Sequence, residues 1–312
     1  MTEHFVRPDV AMFLQFLNSQ PGPKMQELPP ADARKMMLVM RHVADAPTGE
    51  LAVVKDLKIP GPAGDIPARL YDTRETRDAG PVMVFFHGGG FVIGDLDTHE
   101  PYCAEAARQL DMPVISVDYR LAPEHPFPAA PEDCEAAARW VAEHVPCTGL
   151  ILSGDSAGGN LAIVTAMALR DTPAAVAVIA QHPIYPATSA HNDWQSYRNF
   201  KDGYLLTEDG MAWFGEQYGW TIGDWRAHPL DFDQTGMPPS LVVTASLDPL
   251  SDQGRAYAEK LREAGVPTVH REAEGNIHGY INLRQGIPSS QDDIDGNLAA
   301  LKAMLAEIVA SA

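Results

Sequence analysis

Gly154-Asp155-Ser156-Ala157-Gly158 sets one serine between two glycines. On such a G-x-S-x-G turn a hydroxyl is lifted clear of the chain and can act as a nucleophile toward a carbonyl carbon. Gly154 and Gly158 suit the turn, since a side chain there would crowd the neighbouring strand and helix. A serine attacks only when a base takes its proton, and the base needs a third group to orient it. An acid and then a histidine should therefore follow in chain order, each after a later strand. Asp248 follows the apolar run 241–245, and Pro249 fixes the chain behind it. Asp252, four residues on, is the alternative, and its position suits a helix N-cap or a loop support. Two histidines come next. His270 falls inside a strand-like stretch, 268–272. His278 sits in Gly275-Asn276-Ile277-His278-Gly279-Tyr280, a flexible loop after that strand, where a base belongs.

Acyl transfer to a serine passes through a tetrahedral oxyanion, which needs N–H donors already aimed at it. His87-Gly88-Gly89-Gly90 follows the apolar run 81–86, and three glycines let backbone amides turn inward. The N–H of Ala157 would open a helix, where negative charge is favoured. The plainer reading of either stretch is a Gly-rich turn. His87 finds no partner at metal-ligand spacing and is read as bracing its loop.

The elements that must position these groups are legible as periods. Val10, Phe13, Leu14 and Leu17 recur at helix spacing, as do Met36, Met37, Met40 and Val43, with the breaker Gln20-Pro21-Gly22-Pro23 between. Stretches 51–59 and 66–71 read as antiparallel strands. Runs 81–86, 113–117, 150–152, 175–182, 240–246 and 268–272 read as further strands, several of them buried on both faces. Helices are expected from Asp97, in a D-x-x-E capping signal, to 110, and over 131–145, 161–170, 252–264 and 292–309. Residues 187–235 hold four of the five tryptophans and no buried-strand pattern, and read as an insertion above the sheet. The whole is an α/β fold, a mostly parallel sheet covered on both faces.

The chain has 312 residues and is 45% hydrophobic, which supports a sizeable core, and it carries a net charge of −19. Such a charge disfavours nucleic acid and anionic membrane partners. Cys103, Cys134 and Cys147 cannot all pair and show no metal spacing, so buried thiols in a reducing compartment are expected. With no signal-like start and no long apolar run, a soluble cytoplasmic protein without a membrane anchor is expected.

Taken together, His87 to Gly94, Tyr119 to Ala130, Gly154 to Asn160, Asp248-Pro249-Leu250 and His278-Gly279 resemble the hormone-sensitive-lipase-type branch of the α/β-hydrolases, bacterial carboxylesterases with an HGG oxyanion motif. Asp155 matches the subgroup with aspartate before the serine. The resemblance implies a sheet of about eight strands. It makes Ser156 the nucleophile, His278 the base, Asp248 the orienting acid, and Gly88, Gly89 and Ala157 the oxyanion donors. It makes residues 1–45 and 187–235 a cap over a catalytic domain of 46–186 and 236–312. Phe91, Asp155, Tyr185, Tyr204 and Trp213 are the candidate substrate-binding residues. Tyr280 stands where many relatives carry Phe and would add a hydroxyl near the pocket. The prolines at 123, 126 and 128 imply a rigid turn, with a cis bond possible in principle.

The implied activity is hydrolysis of short- to medium-chain carboxylic esters through an acyl-enzyme, with no metal or organic cofactor. The expected partner is a small-molecule ester, with a homodimer expected from the resemblance alone. Two alternatives stay open: a non-catalytic small-molecule receptor on the same fold, and amide, lactone or thioester hydrolysis or acyl transfer by the same residues.

Overall fold

Alternation along one strand shows how the sheet is built. In Gly80–Phe86, Val82, Val84 and Phe86 enter one apolar layer while Met83 and Phe85 enter the other. Both faces are covered, so the strand reads as an unbroken apolar run. The computed structural model describes residues 4–311. Its strands are β1 (Val53–Gly61), β2 (Gly64–Asp72), β3 (Gly80–Phe86), β4 (Val114–Val117), β5 (Cys147–Asp155), β6 (Val178–Ile184), β7 (Ser240–Leu247) and β8 (Thr268–Ile277). Their order is β1-β2-β4-β3-β5-β6-β7-β8, and every pair from β4 to β8 is parallel. The helices are α1 (Pro8–Ser19), α2 (Pro30–Ala44), α3 (Leu96–Leu110), α4 (Ala129–His144), α5 (Ala157–Asp171), α6 (Gln195–Phe200), α7 (Glu208–Tyr218), α8 (Ser251–Glu263) and α9 (Ser290–Ser311). Apolar residues of α4, α5 and α8 fill one layer, and those of α3 and α9 the other. This is the α/β architecture expected, with eight strands.

The chain reverses direction across the sheet at β3, with β4 on one side and β5 on the other. Loops at the C-terminal ends of such a strand pair flank a crevice that suits a ligand. Register then decides which residues meet. Phe86 pairs with Gly154, so His87-Gly88 and Asp155-Ser156 leave the sheet side by side. Leu247 pairs with Ile277, so Asp248 and His278 do the same two strands away. Between Ala245 and Leu247, β8 advances from Ala273 to Ile277, a bulge that re-aims the strand end. Gly275 in this bulge has φ +73° and donates its N–H to Ser246 Oγ at 2.7 Å.

Three details differ from expectation. His278 directly follows β8, which runs to Ile277, so the stretch before it is strand and not flexible loop. The cap of α3 is Asp95, not Asp97: its carboxylate accepts from Thr98 N–H at 2.7 Å and its N–H donates to Thr98 Oγ1 at 2.9 Å. Cys147 is only partly buried, unlike Cys103 and Cys134, whose thiols burial pushes upward in pKa.

Three arginines tie the first helices to the rest. Arg7 donates to Glu274 O at 2.7 Å and grips Asp293 at 2.7 and 2.9 Å. Arg34 grips Glu124 and donates to Val92 O, just after the glycine loop, and to Ala122 O. Arg284 meets Asp45 at 2.8 Å, with both side chains buried. The first three residues of the expected 1–45 segment and Ala312 lie outside the described residues. Among the described residues no helix is long and apolar enough to cross a membrane.

Candidate active site

Ser156 has φ 56° and ψ −116°, a region that non-glycine residues hold only where neighbours impose it. Here the neighbours are β6 and α5. The Ser156 N–H donates to Ile184 O at 2.9 Å, and its carbonyl accepts from Asn160 at 3.1 Å and Ala187 at 3.3 Å. The flanking glycines are packed backbone to backbone. A Cβ on Gly154 would strike the Gly158 carbonyl, and one on Gly158 the Phe86 carbonyl. The serine is thus held at the start of α5, with Ala157 as the first helical residue.

His278 Nδ1 lies 2.6 Å from Asp248 Oδ2, and Nε2 lies 2.8 Å from Ser156 Oγ. A carboxylate only accepts, so Nδ1 carries the proton and Nε2 is left to accept from the hydroxyl. Asp248 is fully buried, and its other oxygen accepts from Leu250 N–H at 2.7 Å. The Tyr185 ring packs on the imidazole at 4.6 Å between centroids. An imidazole so held can remove the hydroxyl proton and keep the resulting charge beside a carboxylate. Asp252, the alternative acid, instead accepts from Ser196 N–H at 2.8 Å and pairs with Arg255, docking α6; the N-cap of α8 is Leu250. His270 lies on β8 with Nε2 2.9 Å from Thr244 Oγ1, away from these groups.

The glycine loop corrects one expectation. The Gly88 N–H is already donated to Asp155 Oδ1 at 2.7 Å, in a buried bond, so it is not free for an oxyanion. The N–H groups of Gly89, Gly90 and Ala157 meet no backbone acceptor among the described residues. Gly89 and Gly90 have φ +118° and +60°, and a Cβ on Gly90 would enter the Phe214 ring of α7. His87 braces the loop as expected. Its Nδ1 lies 2.8 Å from Gly88 O, its ring stacks on Tyr119 at 4.3 Å, and Tyr119 Oη donates to His87 O at 2.6 Å. Burial, helped by nearby His99, pulls the His87 pKa down to about 4, so the ring is neutral near pH 7. The Ala122-Pro123 and Phe127-Pro128 bonds are cis.

The candidate substrate residues divide. Asp155 is buried, bonded to Gly88, His99 and Tyr185, and presents nothing to a pocket. Phe91 is buried in a stack on Tyr218 at 3.9 Å, and Tyr185 is buried behind His278. Tyr204 and Trp213 are half-buried; Tyr204 edges Phe200, and Trp213 packs on Phe214. Tyr280 turns its hydroxyl away, toward Asn297 of α9 at 2.9 Å, so it adds no hydroxyl to the site. Two surface depressions, of about 570 and 460 Å³, are lined by neither Ser156 nor His278. His99, Gly90 and Phe214 are the residues that sequence reasoning did not single out.

A family profile described as alpha/beta hydrolase fold matches residues 83–282. The chain is 40% identical to carboxylic ester hydrolase LipN of Mycobacterium tuberculosis over 290 residues, 86% of this chain and 76% of LipN. It is also 40% identical to esterase LipI of the same organism over 269 residues, 82% of this chain and 83% of LipI. Among solved structures it is similar to LAE6, an alpha/beta hydrolase enzyme from the metagenome of Lake Arreo. There the identity is 36% and the TM-score 0.91, covering 97% of this chain and 99% of that one.

Proposed function

Because the chain is a carboxylic ester hydrolase of the hormone-sensitive-lipase-type branch of the α/β-hydrolase fold, we propose that it works by acyl transfer through Ser156, with His278 as base and Asp248 as orienting acid. The observation that carries this reading is the unbroken pair of contacts from Asp248 to His278 and from His278 to Ser156, at 2.6 and 2.8 Å. Ser156 Oγ attacks the ester carbonyl while Nε2 of His278 takes the hydroxyl proton. The tetrahedral oxyanion is met by the N–H groups of Gly89, Gly90 and Ala157, of which Gly90 stands in for the occupied Gly88. Collapse breaks the bond to the leaving oxygen, which receives the proton from His278. Water then gives a proton to His278 as its oxygen adds to the acyl carbon, and collapse breaks the bond to Ser156 Oγ, which takes that proton from His278 and frees the acid.

The expected substrates are short- to medium-chain esters of small, soluble alcohols or phenols. Residues 4–45 and 187–235 would act as the cap that sets acyl and alcohol preference over a core of 46–186 and 236–311. The placement of α7 supports this, because Phe214 and Tyr218 press on Gly90 and Phe91 beside the serine. Tyr204 and Trp213, both half-buried, are the remaining candidates for contact with substrate.

The test is turnover of p-nitrophenyl butyrate by the wild type and Ser156→Ala. The expected loss in kcat is on the order of 10⁴–10⁶, as for removal of a member that acts as a unit with its partners. A folded Ser156→Ala protein with unchanged kcat would remove Ser156 from the mechanism. Extending the acyl chain from acetate to laurate then measures the reach of the cap.

A further inference from the structure

Asp155 adjoins the nucleophile, is buried, and takes part in no step described above. Its Oδ1 accepts from the Gly88 N–H at 2.7 Å and lies 3.2 Å from Nε2 of His99. Its Oδ2 accepts from Tyr185 Oη at 3.3 Å, and Tyr185 in turn packs on His278. One carboxylate therefore joins the glycine loop, α3 and the packing behind the imidazole.

His99 is fully buried. Its Nδ1 lies 2.9 Å from Thr98 Oγ1, which belongs to the cap of α3. Its Nε2 also lies 2.9 Å from the Asn282 side-chain amide, whose oxygen meets no hydrogen-bond partner among the described residues. Since Asp155 only accepts, Nε2 must carry a proton. With the Asn282 amide turned over, that same N–H meets the amide oxygen too.

We propose that His99 is a positioning residue for ester hydrolysis. Through Asp155 it fixes the Gly88 peptide, and so the aim of the amides that follow, and it offsets a carboxylate that would oppose the oxyanion. The argument is electrostatic as well as geometric. A charge buried in low dielectric acts strongly on its neighbours. An uncompensated carboxylate one residue from Ser156 would disfavour a second negative charge forming over the serine. Burial works against the charge of Asp155, yet His99 and the Gly88 amide outweigh it and hold its pKa below the usual carboxylate value. The inference rests on the reading of Ser156 as nucleophile and of the Gly89, Gly90 and Ala157 amides as oxyanion donors.

Four proteins test it with p-nitrophenyl butyrate: wild type, His99→Gln, Asp155→Asn and the double variant. Asparagine keeps the oxygen that accepts from Gly88 but removes the charge. His99→Gln is expected to lose about tenfold or more in kcat, with KM within about threefold, because the loss falls on the transition state. Whatever activity Asp155→Asn itself keeps, the double variant is expected within about threefold of it, since no charge is left for His99 to offset. Thermal melts establish that each variant is folded. If His99→Gln alone does not fold, the double variant decides by itself. Equality with Asp155→Asn supports the proposal, and a further loss of about tenfold or more overturns it. Wild-type kcat in folded His99→Gln, or a rise in KM that accounts for its loss, also overturns it. The underlying reading fails separately: Ser156→Ala would then retain activity, whatever His99 does.

Discussion

The turn that holds Ser156 at φ 56° is closed by Gly154 and Gly158, each two residues away and each without a side chain to interfere. Gly154, Gly158 and Phe86 touch through their backbones, so none of them can move aside for a methyl group. Gly154→Ala should therefore lower stability by about 1–3 kcal/mol through overpacking and reduce activity with it. An unchanged urea midpoint for that variant would count against so close a fit. At this scale the chemistry was readable where a residue stands directly after a buried strand. Ser156 and Asp248 do, after the apolar runs of β5 and β7, whereas His278 was legible from chain order alone, because β8 is half exposed and has no such run. Gly88 was not readable in the same way. It looks like Gly89 and Gly90 in the sequence, and what distinguishes it is a carboxylate 67 residues away. His99 was hidden for a similar reason. On an amphipathic helix a buried histidine looks like any core residue until its partners from other elements are known.

The elements place these residues by register and by arginine ties. The pairs Phe86–Gly154 and Leu247–Ile277 would put the same loops together whatever the loops contained. The ties are more vulnerable. Asp45 and Arg284 are buried together, and removing one partner leaves an unpaired charge in the interior. Asp45→Ala should cost about 3–5 kcal/mol in urea unfolding. A loss under about 1 kcal/mol would mean that water reaches the site. The Arg34–Glu124 pair lies nearer the surface and gives a pH signature. Hydrogen bonding to Arg34, against some burial, lowers the Glu124 pKa from 4.5 to about 2. A carboxylate with a depressed folded pKa stabilises the fold above its unfolded pKa, and that contribution fades as protonation proceeds. The stability gap between wild type and Glu124→Gln should thus be full above pH 4.5 and close as pH falls toward 2. A gap independent of pH would assign the effect to packing. Short helices were the least legible elements. Within 187–235, α6 and α7 bury few residues of their own and take their place from Asp252, Phe91 and Gly90. Likewise, the extension of β8 to Ile277 depends on a bulge that no period of two can signal.

Over the whole molecule the net charge of −19 surrounds a site that must admit a substrate. A like-charged ester is repelled before it arrives, and salt screens that repulsion. With a succinate half ester, kcat/KM should rise between about 10 and 500 mM salt, while that of a neutral ester of similar size stays flat. Parallel salt curves for both would show that the overall charge does not reach the site. Separation along the chain also sets a time. The segment before α1 closes on the bulge of β8 and on Asp293 of α9, and the serine and its histidine are 122 residues apart. At a synthesis rate of about 5–20 residues per second, a newly made Ser156 waits about 6–24 s for His278 to be added. Through that interval the ribosome holds a chain whose central strands have been made but whose serine has no base. On the mechanism proposed above, hydrolysis is therefore unavailable to the nascent chain until β7 and β8 have emerged and paired.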